Sequence, residues 1–184
     1  VDDMGGATGD KYNDDNDATS TGNNEGFLPI LTFTGEYDGA GYSISGLTIN
    51  RPTTQYVGLF GLALMANIRN LGVTNDNITG RLQVGSLVGL SYTTIIDNCS
   101  ASGSVVASTS HTGGLVGYSY RDTIRNSYST ASVDVGSGNY IGGLVGYADN
   151  STILNSYSTG SVVGGSTYSG GLVGYKDAVS SVTD

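Results

Sequence analysis

The chain has 184 residues, of which 30 are glycine, two proline, one cysteine and none tryptophan; charged residues make up 12%, and 13 of the aromatic side chains are tyrosine. Glycine at about a sixth of the chain with no three-residue period excludes collagen, and the composition as a whole is not that of a helix-rich domain. No apolar run approaches the ~18 residues of a membrane-spanning helix, and a formal net charge of −9 with no basic stripe excludes nucleic acid as a partner.

The charge is concentrated at the start. Residues 1–26 hold seven acids against Lys11 alone, while the rest of the chain is nearly balanced. This stretch reads as an acidic, Gly/Asn-rich arm or linker. Within it Asn13, Asp15 and Asp17 offer oxygen ligands at alternating positions, as loop-type calcium sites do, with Glu25 near the place of the bidentate acid. The glycine that usually follows the third ligand is missing and Glu25 stands one place late, so a disordered acidic arm is the competing reading. Residues 27–55 read as an N-terminal capping coil.

From residue 56 to residue 184 one unit repeats. Its closing glycines, Gly61, Gly89, Gly117, Gly146 and Gly174, stand 28, 28, 29 and 28 residues apart, and the last unit is incomplete. Seven residues past the glycine come Ile68, Ile96, Ile124 and Ile153; one further lie Arg69, Asp97 and Arg125; one further again come Asn70, Asn98, Asn126 and Asn155. The apolar positions form short β-type runs between Gly, Ser, Asn and Asp, without a 3.6-residue period. One such unit cannot bury its own inner face, so stacking is required. The predicted fold is all-β: a parallel β-solenoid of ~28-residue coils, right-handed by strand twist and crossover preference. Like residues then form ladders. The isoleucines are expected in the dry core and the asparagines hydrogen-bonded at a buried corner. Arg69, Asp97 and Arg125 make a charge ladder. The Gly-Gly pairs before each Leu-Val serve either a positive-φ bend or a close approach of the next coil.

The recurring Gly-Gly-Leu-Val-Gly-Tyr followed by Thr-Ile-x-Asn-Ser-Tyr-Ser-Thr-x-Ser-Val resembles the GLUG motif of large bacterial surface and secreted proteins, including adhesins and some immunoglobulin-A-specific metallopeptidases. The resemblance covers roughly residues 31–175. It implies an extracellular or cell-surface location, but the motif describes coil geometry and not a site.

The census for chemistry yields no catalytic residues. His111 is the only histidine, which rules out multi-imidazole metal sites, and it reads as a solvated loop residue. Cys99 occupies the column of Ser127 and Ser156, as a packing residue would. Asp149 and Asp177 share a column at about one coil spacing, a separation that suits glycoside chemistry, but turn aspartate is the commoner use. Asn77, Asn98 and Asn150 open glycosylation acceptor patterns; Asn98 belongs to the inner ladder and is expected to be inaccessible, and Asn150, in a turn, is the acceptor. A threonine array of the ice-binding kind is broken at Asn67 and Ile95.

These observations lead to a non-catalytic extracellular segment of an adhesin-like protein, a binding surface or rigid spacer for protein or carbohydrate partners. The alternatives are a self-assembling filament subunit joined end to end and a carbohydrate-active β-helix enzyme. No cofactor is required; calcium is the one with a candidate site.

Overall fold

A computed structural model describes residues 25–165 and 167–183. All regular elements among them are strands, and all pairings between named strands are parallel. One coil is typical: Thr112–Gly113, Val116–Tyr120, Thr123–Arg125, Tyr128–Ser129 and Ser132–Val135 follow one another around the stack. The chain returns to its starting direction every 28 or 29 residues, so each strand can pair only in parallel with its equivalent about 4.8 Å away. The strands assemble into sheets of ten, eight and five, the last having one strand per coil. The chain is a β-solenoid.

Residues 27–55 continue the same register. Phe33–Asp38 pairs with Phe60–Arg69, while Ser43–Ser45 and Thr48–Asn50 pair with Gly72–Gly80. This segment is therefore itself a coil. One irregularity explains why Ile78 stands a residue out of step with Val105: Gly72–Gly80 carries one extra residue between the pairs Val73↔Ala101 and Asp76↔Gly103, a β-bulge with Asn75 in the left-handed region at φ 52°.

The interior is a set of aliphatic ladders. Ile68, Ile96, Ile124 and Ile153 pair one on the next and are buried, as are Phe60, Val88, Val116 and Val145 in the neighbouring column. Burying one such side chain stabilises the fold by about 1.5–3 kcal/mol.

Corners turn on left-handed residues, in three columns. Tyr56, Gln83, His111 and Tyr140 form one; Met65, Thr93, Arg121 and Asn150 the second; Asn70, Asn98, Asn126 and Asn155 the third, at φ between 45° and 54°. Asparagine tolerates this conformation best after glycine, and other residues lose about 1–2 kcal/mol there, which accounts for an all-Asn column. The Asn ladder is consequently at an outward corner rather than a buried one: Asn98, Asn126 and Asn155 are exposed. The Gly-Gly pairs do not take positive φ at all. They serve close approach, since a Cβ on Gly113 would lie 2.1 Å from the Val116 carbonyl oxygen and one on Gly143 would lie 2.1 Å from that of Gly171.

Two substitutions separate these roles. Ile124→Ala should lower the unfolding free energy by about 2–5 kcal/mol in denaturant titration. Asn126→Gly should change it by less than about 1 kcal/mol, and Asn126→Val should be clearly worse, because only the valine is excluded from the left-handed region.

Candidate functional site

The outward ladders and the few polar groups inside them are where chemistry could occur. The charge column is longer than its three central members. Asp38 pairs in register with Arg69, which pairs with Asp97, which pairs with Arg125. Arg69 Nε lies 3.0 Å from Asp38 Oδ2, and Arg125 Nη2 lies 2.9 Å from Asp97 Oδ2. Alternation of sign therefore begins in the first coil, a relation the sequence hides because Asp38 precedes the regular repeat. The amide ladder runs beside it. Asn70 Nδ2 donates to Asp38 Oδ1 at 3.0 Å, Asn98 Nδ2 to Asn70 Oδ1 at 2.8 Å, and Asn126 Nδ2 to Asp97 Oδ1 at 2.8 Å. Asn155 Nδ2 reaches Asn126 Oδ1 at 3.4 Å. The Asn70 amide, the Ala40 N–H and the Arg69 guanidinium, in that order, hold the Asp38 carboxyl at about 2.

The candidate catalytic groups are all engaged in holding turns or filling space. Asp177 Oδ1 accepts from the N–H groups of Ser180, at 2.8 Å, and Asn150, at 3.1 Å. Asp149 Oδ2 accepts the Tyr118 hydroxyl at 2.9 Å. Cys99 is buried, its N–H donates to Ser127 Oγ at 3.1 Å, and burial pushes its thiol up to about 11. Such a thiol is a packing group and a poor nucleophile. His111 is not solvated: it is half-buried, and desolvation moves its imidazole below the ordinary 6.5.

His111 instead belongs to an aromatic zipper that residue-by-residue reading did not find. Its ring stacks on Tyr140 at 4.9 Å, and Tyr140 stacks on Tyr168 at 5.2 Å. Beside them Tyr118, Tyr147 and Tyr175 form a second column at 5.1 Å spacing. Edge-to-face contacts of 5.3, 5.0 and 4.9 Å join the two columns coil by coil. The available signal was the alignment of His111, Tyr140 and Tyr168 one residue before the Thr112–Gly113, Ile141–Gly142 and Ser169–Gly170 strands.

The calcium candidates Asn13, Asp15 and Asp17 lie outside the described residues. Glu25 is within them and is committed elsewhere, its Oε2 lying 2.6 Å from Arg51 Nη1. Among the described residues no three His, Cys, Asp or Glu side chains gather as a metal site would need. Asn150 is exposed, but so are Asn77 and Asn98, so exposure does not single it out as an acceptor.

Among the described residues two carboxylates are buried. Asp122 accepts from the Thr94 N–H at 2.8 Å, from Ser119 Oγ at 2.7 Å and from Ser91 Oγ, and its own N–H donates to Ser151 Oγ at 3.1 Å, so the group ties three successive coils together. Burial outweighs these bonds and raises it to about 6. Asp76, at the bulge, has no hydrogen bond to either carboxyl oxygen; burial raises it to about 7, opposed weakly by the nearby Ser86 hydroxyl and Ser104 N–H. A carboxyl raised in the folded state binds protons more tightly there than in the unfolded chain, so its stabilisation is complete below about pH 4 and is lost as pH rises through 6 to 7. His111, lowered, acts oppositely and loses stability as pH falls below about 6.5. The lowered acids Asp38, Asp97 and Asp177 weaken the fold only below about pH 4. Thermal melts should therefore show maximum stability on the acid side of neutral, with Asp76→Asn removing the upper part of the decline towards pH 8. A melting temperature that climbs steadily to pH 8 in the wild-type chain contradicts this.

The coil geometry has counterparts in known proteins. Residues 80–106, 108–134 and 137–163 match the GLUG motif. Halomucin of Haloquadratum walsbyi (strain DSM 16790 / HBSQ001) is 38% identical over 98 residues, an alignment taking in 48% of this chain and 1% of halomucin. This chain thus corresponds to a very small part of that protein. Among solved structures, a candidate immunoglobulin A1 protease from Bacteroides ovatus superimposes with a TM-score of 0.65 at 24% identity, over 80% of this chain and 48% of that one. At such identity the likeness is one of fold. The chain carries three consecutive GLUG repeats, each contributing one coil's length of the solenoid.

Proposed function

We propose that the chain is a non-catalytic, rod-like segment of a secreted or cell-surface protein, which displays repeated side chains at one-coil spacing on a rigid support. The observation that carries this reading is the continuous parallel pairing from the Phe33–Asp38 strand to the Ser181–Thr183 strand, with tyrosine, asparagine and alternating charge in outward columns. Regular spacing on a stiff rod suits multivalent contact with a repetitive partner, because each further contact is made without a new loss of rotational freedom. The GLUG repeats and the likeness to halomucin support a surface or secreted setting. The engagement of Asp149, Asp177 and Cys99 in turns and packing favours display over turnover.

Display is tested by activity and shape together. Incubated with immunoglobulin A1 and with a set of polysaccharides, the 184-residue chain should release neither peptide fragments nor reducing ends, and small-angle scattering should fit a rigid rod. Cleavage that disappears in Asp149→Asn or Asp177→Asn overturns the reading in favour of an enzyme.

A further inference from the structure

The exposed tyrosine column beside the asparagine ladder is interrupted. In register it runs Tyr157, Tyr128, Ser100, Gly72, Ser43. The two tyrosine rings stack at 5.1 Å and lie 3° from parallel, so each covers one face of the other. Below Tyr128 the column holds a hydroxymethyl group, a hydrogen and another hydroxymethyl group. The space of the missing rings is a cleft of ≈ 220 Å³ lined by Gly41, Ser43, Asn70, Gly72, Asn98 and Tyr128, with Leu71, Cys99 and Ser100 completing it. Tyr128 lines the cleft, and since Tyr157 covers one face of its ring, the register leaves the other face towards the level of Ser100.

We infer that this cleft is a binding site for a neutral pyranose ring of a glycan, stacked on the free face of Tyr128 in the place of the absent ladder rung and hydrogen-bonded by Asn70 and Asn98. Three features of the site select that chemistry. An aromatic face is electron-rich and attracts the apolar C–H face of a sugar ring, at ring separations of about 4.5–7 Å. The coil spacing, shown by the 5.1 Å between Tyr128 and Tyr157, puts a ring at the level of Ser100 within that range. The amides are pre-oriented: Asp38 accepts from Asn70, and Asn70 accepts from Asn98. Each amide keeps a second N–H for sugar hydroxyls, and the Ser43 and Ser100 hydroxyls can donate or accept. No Asp, Glu, Lys, Arg or His lines the cleft, which favours a neutral sugar over a uronate or sulfated one. The cleft is smaller than the roughly 300–1,000 Å³ pockets of drug-sized ligands, as suits a single sugar unit of a longer chain running along the surface.

The site deepens the display reading by giving the rod a ligand class. The test uses the 184-residue chain and a set of neutral oligosaccharides of glucose, galactose, mannose and N-acetylhexosamines, followed by NMR. At least one should bind, with its ring protons shifted upfield by the Tyr128 ring current. Tyr128→Ser, which copies the residue already at position 100, should weaken binding by roughly tenfold or more. Ser100→Tyr should abolish it by extending the stack into the cleft, and this variant should melt no lower than the wild type, so the loss cannot come from unfolding. Tyr168→Ser, in a different column, should leave affinity unchanged. Absence of any ring-current shift across the set, or binding that survives Ser100→Tyr, overturns the site. Cleavage of immunoglobulin A1 removes the display reading and leaves this measurement intact, whereas a cleft that binds no sugar leaves the rod intact.

Discussion

Every other feature of this protein depends on parallel backbone pairing between successive coils. Once residue Ile96 is paired with Ile68 on one side and Ile124 on the other, every neighbouring column is set as well. The interior then need only supply one aliphatic group per level, which is why small residues suffice and why glycine can be so abundant without loosening the chain. Glycine is placed where two backbones meet. At Gly113 and Gly143 a single methyl group would collide with a carbonyl oxygen of the same or the next coil. A shift of one residue would turn a whole face outward, and the bulge at Asn75 shows the fold absorbing such a shift within a single strand pair.

The outer surface inherits this spacing, so like groups are brought together whether or not they attract one another. Tyrosines gain by stacking and asparagines gain by bonding amide to amide, so both can repeat without limit. Charges cannot, and the Asp38, Arg69, Asp97, Arg125 column alternates for that reason. Exposed pairs of this kind contribute little to stability individually. Their effect is on register, since a slip by one coil sets like charges opposite one another.

Polar groups inside the solenoid are handled in two ways. Asp122 is surrounded by donors from Ser91, Thr94 and Ser119, its own N–H rests on Ser151, and together these ties span three coils. Asp76 sits at the bulge with no bond to either oxygen, and its raised proton affinity is the direct consequence. The contrast follows from the backbone: where coils stay in register, serine and threonine columns deliver hydroxyls to the same point, and where a residue is inserted they do not.

The period, the parallel stacking and the membership of the isoleucine, asparagine and charge columns were legible in the amino-acid sequence, because identical residues at intervals of 28 or 29 require equivalent environments. The sequence alone could not say which way a column faces. The asparagines were expected inside and stand outside, since their place follows from the left-handed backbone at the corner, a property of φ that side-chain identity only permits. His111 was expected in solvent and is packed among tyrosines, because its neighbours come from other coils. The cleft under Tyr128 exists only as a difference between coils, and only stacking turns the small residues at Ser100 and Gly72 into an opening beside an aromatic face. Periodicity is a one-dimensional property and survives in the chain. Orientation and cavities depend on what the next coil places about 4.8 Å away, and so they are decided only by the tertiary structure.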